Sequence, residues 1–82
     1  MVEVAFHPAF QKQISKIKDA LLKERILKQI GRVKNDPEIG KPMTGPRRGT
    51  REVRIQPFRL SYTYFVEDDR VVILDFYHKD EQ

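Results

Sequence analysis

Between positions 41 and 60 the chain carries Lys41, Arg47, Arg48, Arg51, Arg54 and Arg59 against a single acid, Glu52. Five of these six cations are arginines, whose planar fork suits bidentate pairing with phosphate, so this is the stretch where a polyanion is expected to bind. The remainder is more even. Residues 1–40 hold eight Lys/Arg against five acids, residues 61–82 hold Arg70 and Lys79 against six, and the formal charge of the whole is +4. Close to the end, His78 stands beside Lys79. An imidazole titrates nearer to neutral pH than any other side chain, which makes His78 a candidate site residue.

Composition narrows the classes of function. The 82 residues include no cysteine, so thiolate sites, zinc ribbons and a disulfide framework are excluded and packing must hold the fold. A chain of this length predicts one domain over 1–82, burying about 60% of its unfolded surface. The longest uninterrupted apolar run, Val71 to Leu74, is far short of the roughly 20 residues of a spanning helix. Met1 to Phe6 lacks a signal peptide's pattern, and the expectation is a cytoplasmic protein with no membrane partner.

The elements that must position the cations follow from periodicity. Val2, Val4 and Phe6 alternate with polar or small residues, a first strand ended by His7-Pro8. Phe10, Ile14, Ile17 and Leu21 then recur at helical spacing, and Leu22, Ile26, Ile30 and Val33 form a second stripe offset in phase, with Asp19 placed to cap it. This predicts a two-helix hairpin, one long bent helix being the alternative. Gly31 inside the second stripe suggests close approach of a neighbour. Pro37 to Gly49 reads as a loop.

Two strands are expected next, Thr50 to Gln56 and Phe58 to Val66. Val53 and Ile55 share one face, as do Phe58, Leu60, Tyr62, Tyr64 and Val66, so Arg54 and Arg59 fall together on the opposite face near the turn. Glu52 lies on that face too. The last strand, Val71 to Tyr77, would put His78 in register with Val72, Leu74 and Phe76 on the apolar side. Tyr62 and Tyr64 read as core, Tyr77 as a candidate stacking ring, Phe65 as an exposed aromatic of the outer face, and His7 as structural. Asp75 interrupts the last apolar run, facing solvent or pairing with an arginine. Strand, two helices and a three-stranded antiparallel meander make an α+β fold with the helices packed on one face of the sheet.

In this order and spacing, several stretches resemble the RelE/ParE toxin superfamily: Phe6-His7-Pro8, the Leu22 to Val33 helix, Gly40-Lys41-Pro42 with Gly45, Arg51-Glu52-Val53-Arg54-Ile55, Phe58-Arg59-Leu60-Ser61-Tyr62, and Val71-Val72-Ile73-Leu74 leading to His78-Lys79. The resemblance implies the toxin of a toxin-antitoxin pair, monomeric when free, held by a RelB-like antitoxin that is partly disordered alone. In RelE-like members it implies a ribosome-dependent endoribonuclease that cuts translated mRNA without a metal or other cofactor. There the RNA's 2'-hydroxyl attacks the adjacent phosphate, and the protein must assist proton removal, stabilise the phosphorane and protonate the leaving 5'-oxygen. Carried over, Arg54 and Arg59 address the scissile phosphate, His78 transfers a proton and Lys79 assists as a cation. Glu52 stands where ribosome-dependent members have lysine; it is a candidate base, a surface ion pair with Arg54 being the simpler account. Lys41, Arg47, Arg48, Arg51 and Tyr77 are candidate RNA contacts, and a solvated basic loop is the alternative for the arginines among 47–51. A ParE-like toxin that binds gyrase and cuts no RNA, or a degenerate member that only binds its antitoxin, are the competing functions.

Overall fold

The computed structural model describes residues 2–81. Strand β1 (Glu3–Phe6) leads into helix α1 (Pro8–Ser15) and, after four residues, helix α2 (Ala20–Asn35). A two-residue strand β2 (Lys41–Pro42) and a short 3-10 turn at Gly45–Arg47 precede β3 (Arg51–Ile55), β4 (Phe58–Phe65) and β5 (Arg70–His78). The five strands form one sheet in the order β1-β5-β4-β3-β2, antiparallel except for β1, which runs parallel to β5. Both helices pack on one face, α1 against β5 and α2 against β3. This is the expected α+β arrangement with one strand added.

Each helix begins at a side-chain cap. His7 Nδ1 accepts from the Ala9 N–H at 3.0 Å with Pro8 in the first turn, which gives the expected structural role for this histidine. Asp19 accepts from the Leu22 N–H at 3.2 Å and starts α2, so the helix pair is two helices. The first is shorter than its apolar spacing suggests. Ile17 packs on the core from beyond the helix, and Leu21 belongs to α2, where it is 72% exposed. In α2, Ile26 and Val33 are fully buried with Leu22 and Ile30 packed beside them. Gly31 differs from expectation, since a Cβ there would meet nothing within 4 Å.

The core lies between the helices and the inner sheet face. Val53, Ile55, Leu60, Tyr62, Val71, Ile73 and Phe76 line it, each large aliphatic contributing on the order of 1.5–3 kcal/mol by leaving water. Tyr62 also ties down the segment after α2. Its hydroxyl donates to the Pro37 carbonyl at 2.7 Å and accepts from the Gly40 N–H at 2.9 Å. A Cβ on Gly40 would stand 2.6 Å from that hydroxyl, so only glycine fits. Val66 leaves the strand for a 3-10 turn and is exposed, where alternation had put it inside.

One irregularity decides what the open face carries. Ser61 pairs with Asp75 but Tyr62 pairs with Ile73, so Leu74 is an extra residue on β5. The Phe76 N–H next to this bulge donates to Gln13 Oε1 of α1 at 2.8 Å. Side-chain parity reverses across the bulge. Val71 and Ile73 point into the core, yet Asp75 and Tyr77 emerge on the open face opposite Ser61 and Arg59. An unbroken strand would have put Val72 and Leu74 inward with His78; Phe76 and His78 do face the helix side, but Val72 and Leu74 do not share it.

Candidate functional site on the open sheet face

Arg54 and Arg59 are direct cross-strand partners beside the Gln56-Pro57 turn, on the face away from the helices. Like charges opposite one another repel, and such a pair needs a counter-charge or an anionic ligand. Glu52 supplies part of it. Its Oε1 lies 3.5 Å from Arg59 Nε, and its Oε2 accepts a hydrogen bond from the Tyr77 hydroxyl. The ion pair is therefore with Arg59 rather than Arg54, and it is no surface pair: the Glu52 side chain is 9% exposed and that of Arg59 16%. Arg54 is exposed. With Lys41, Met43, Glu52 and Arg59 it lines a groove of 190 Å³.

The 3-10 turn folds over this surface. Its Arg47 guanidinium sits 4.5 Å from the centre of the Tyr77 ring, a cation–π contact. Tyr77 is thus covered by Arg47 and tethered to Glu52, not an open stacking platform. The turn can bend this way because Gly45 holds φ at +67°, a left-handed conformation that other residues adopt at a cost. Next to it lies Asp75. Burial pushes its carboxyl above the usual carboxylate range, opposed by the charges of Arg47 and His7, and its Oδ1 is buried with no hydrogen-bond partner.

Several candidates lie elsewhere. Arg51 faces the helix side, where it donates to the Glu38 and Gly40 carbonyls at 3.0 and 2.8 Å and lies 4.0 Å from the Glu38 carboxylate, a structural clamp away from the arginine pair. His78 is opposite Phe58 and its ring meets the Phe58 ring edge-on at 5.6 Å. Its Nδ1 accepts from the Asp80 N–H at 3.2 Å, so it is not brought to the arginine pair. Lys79 begins the closing 3-10 turn, exposed, its N–H on the Pro57 carbonyl at 3.1 Å. Arg48 is exposed and borders a different groove with Glu38 and Tyr64. Asp75, expected from its break in an apolar run to face solvent or pair with an arginine, instead stands on the open face with Oδ1 buried and unpartnered, and sequence reasoning assigned it no part in the site. Among the described residues no three His, Asp or Glu converge as metal ligands, and no helix is long and apolar enough to cross a membrane.

The open face thus gathers Arg47, Arg54 and Arg59 around Glu52, Asp75 and Tyr77. Such an arrangement can hold a phosphate between guanidinium groups and take up or deliver a proton beside it.

Comparison with known proteins agrees with the fold. The family model described as the ParE toxin of the type II toxin-antitoxin system matches residues 4–82. Among solved structures, the RelBE2 toxin-antitoxin complex of Mycobacterium tuberculosis superposes with a TM-score of 0.81 at 26% identity, covering 95% of this chain and 98% of that one. The intact Escherichia coli RelBE complex gives 0.81 at 16% identity, with 95% and 96% covered. A YoeB/ParE toxin from Agrobacterium tumefaciens gives 0.81 at 18%, with 94% and 98% covered. The last two likenesses speak to the fold alone. No curated protein matches the chain.

Proposed function

The chain belongs to the ParE toxin family of type II toxin-antitoxin systems, and from that premise we propose that its open sheet face binds and cleaves messenger RNA in the ribosome. The observation that carries this reading is the Arg54–Arg59 pair with Glu52 fixed at its side. Two arginines opposite one another on β3 and β4, lining one groove, can hold the scissile phosphate between them. As the 2'-oxygen attacks phosphorus and the P–O5' bond breaks, the phosphorane gains negative charge, and fixed cations stabilise that state more than the ground state. Glu52 accepts the 2'-hydroxyl proton. Its carboxylate is the negative group held against Arg59, and the Tyr77 hydroxyl orients it. A proton returned to the 5'-oxygen completes the cleavage, leaving a 2',3'-cyclic phosphate and a 5'-hydroxyl.

A partner antitoxin fits the same surface, since an acidic, partly disordered segment could neutralise the arginines while its apolar residues cover exposed side chains. The test is induced expression of wild type and Arg59→Ala with primer extension on abundant translated messages. Codon-phased cleavage should appear with wild type and fall by about 10²–10³ in the variant, the loss typical of one electrostatic donor. Equal cleavage by both overturns the site. The second reading, a gyrase-binding toxin that cuts nothing, is favoured by one observation: His78 lies on the helix side, leaving no imidazole beside the arginines. Growth arrest with intact messages and early supercoiling defects would select it.

A further inference from the structure

On α2, Arg25, Lys28, Gln29 and Arg32 follow at i, i+3, i+4 and i+7, one stripe running about 10 Å along the axis. It faces the free edge of β3. The short β2 pairs only with Arg51 and Glu52, so from Val53 onward that edge has no strand neighbour. Side chains of the stripe cover it instead: Arg25 donates to the Gln56 carbonyl at 2.9 Å and Gln29 to the Arg54 carbonyl at 3.2 Å, while Arg32 donates to Gln29 Oε1 at 3.2 Å. A groove of 260 Å³ results, lined by the stripe together with Arg54 and Ile55.

Covering the edge accounts for Arg25 and Gln29. It does not account for Lys28, nor for the charge on Arg32. Neighbouring cations at these spacings repel by a few tenths of a kcal/mol each. Three arginines outside the stripe have acids beside them, Arg51–Glu38, Arg59–Glu52 and Arg70–Glu3, whereas among the described residues Arg47 and Arg48 have none within ion-pair distance. Among the described residues no carboxylate lies within ion-pair distance of Arg25, Lys28, Arg32 or Arg54. Four cations that no carboxylate pairs directly, in a groove as long as the stripe of about 10 Å, suit a chain of anions, although Glu24 and Asp36 stand one turn from Lys28 and Arg32. Arg54 borders both this groove and the one containing Arg59 and Glu52, and a further depression is lined by residues of each, Gln29 and Arg32 with Lys41, Glu52 and Arg54.

We propose that the α2 stripe binds the phosphodiester backbone of the RNA strand flanking the bond held at Arg54 and Arg59. This extends the nuclease reading given above and rests on it for the identity of the strand. Phosphate contacts of this kind supply affinity and register without reading bases.

The test measures binding of a short, non-cleavable 2'-O-methyl single-stranded RNA by the full chain across a range of salt concentrations. For Lys28→Gln the slope of log affinity against log salt should be shallower by about 0.7, and for Lys28→Gln with Arg32→Gln by about 1.4, one released counterion set per lost contact. Lys12→Gln with Lys16→Gln removes the same charge from exposed positions at the end of α1 and should leave the slope unchanged. A Lys28→Gln slope equal to wild type overturns the proposal even if wild type cleaves messages. Tighter binding of duplex DNA than of RNA, lost in the same variants, overturns the assignment to RNA. Shallower slopes in a chain that cleaves nothing would support the groove while the nuclease reading falls.

Discussion

On the helix side of the sheet, Tyr62 carries a hydroxyl into the core and both of its hydrogen-bonding roles are filled, by the Pro37 carbonyl and the Gly40 N–H. On the open side, one strand away, Asp75 keeps a carboxylate oxygen buried with no partner. Both groups are perturbed for the same reason, burial, which raises the pKa of each above its ordinary value. Only one of them is compensated. A polar group that serves the fold is paired where it sits, because an unpaired buried one costs about 1–3 kcal/mol. A carboxylate oxygen left unpaired on the face that carries Arg47 and Tyr77 marks where stability yields to something else.

Breaking the satisfied side should have the larger effect. Gly40→Ala drives a methyl to 2.6 Å from a phenol that is fully buried and cannot retreat. Overpacking of this kind costs about 1–3 kcal/mol, which lowers the melting temperature of a domain this small by about 4–8 °C for each kcal/mol. Thermal unfolding would measure it. A melting temperature equal to wild type would mean that the segment from Pro37 to Gly40 is looser than its hydrogen bonds imply. Breaking the unsatisfied side should do the reverse. Because the folded Asp75 carboxyl has a raised pKa, the folded protein holds that proton more tightly than the unfolded chain, and stability falls as pH climbs from the ordinary carboxylate range through the folded pKa. Asp75→Asn removes this penalty. It should raise stability at neutral pH by about 1 kcal/mol and give no gain in acid below the unfolded pKa, as melts at the two pH values would show. A loss at neutral pH would mean that the attraction of Arg47 outweighs burial.

The same contrast explains what could be read from the sequence. Alternation in 50–66 placed Val53, Ile55, Leu60 and Tyr62 inside and Arg54 with Arg59 outside, because those strands run in regular register. The helix stripe at Leu22, Ile26, Ile30 and Val33 and its Asp19 cap were equally legible, since both depend on local spacing. The β5 bulge was not. It is set by tertiary pairing with β4 and by Gln13 reaching from α1, and it moves Asp75 and Tyr77 to the open face against simple parity. The two-residue β2 escaped because a Pro/Gly-rich loop carries no alternation to read. Arg51 looked like its neighbours in a basic run, although its parity with Val53 already put it on the helix side. Gly31 suggested a close neighbour and has open space, so its identity is not explained by packing.

The smallest expected effect sharpens the contrast most, because it separates adjacent residues of one strand. Tyr77 and His78 follow each other on β5, yet Tyr77 reaches Glu52 on the open face while His78 meets Phe58 on the helix side. If the site is confined to the open face, His78→Gln should leave the cleavage rate within about threefold of wild type, under about 1 kcal/mol of barrier. Its cost should appear instead as lost edge-on contact with Phe58, about 0.5–1.5 kcal/mol in a thermal melt. A rate loss of about 10²–10⁴ without a matching loss of stability would have the opposite meaning. The imidazole would then leave Phe58 and reach the phosphate around the end of β5, where Lys79 also stands, and the boundary between the two faces would fail at the strand end.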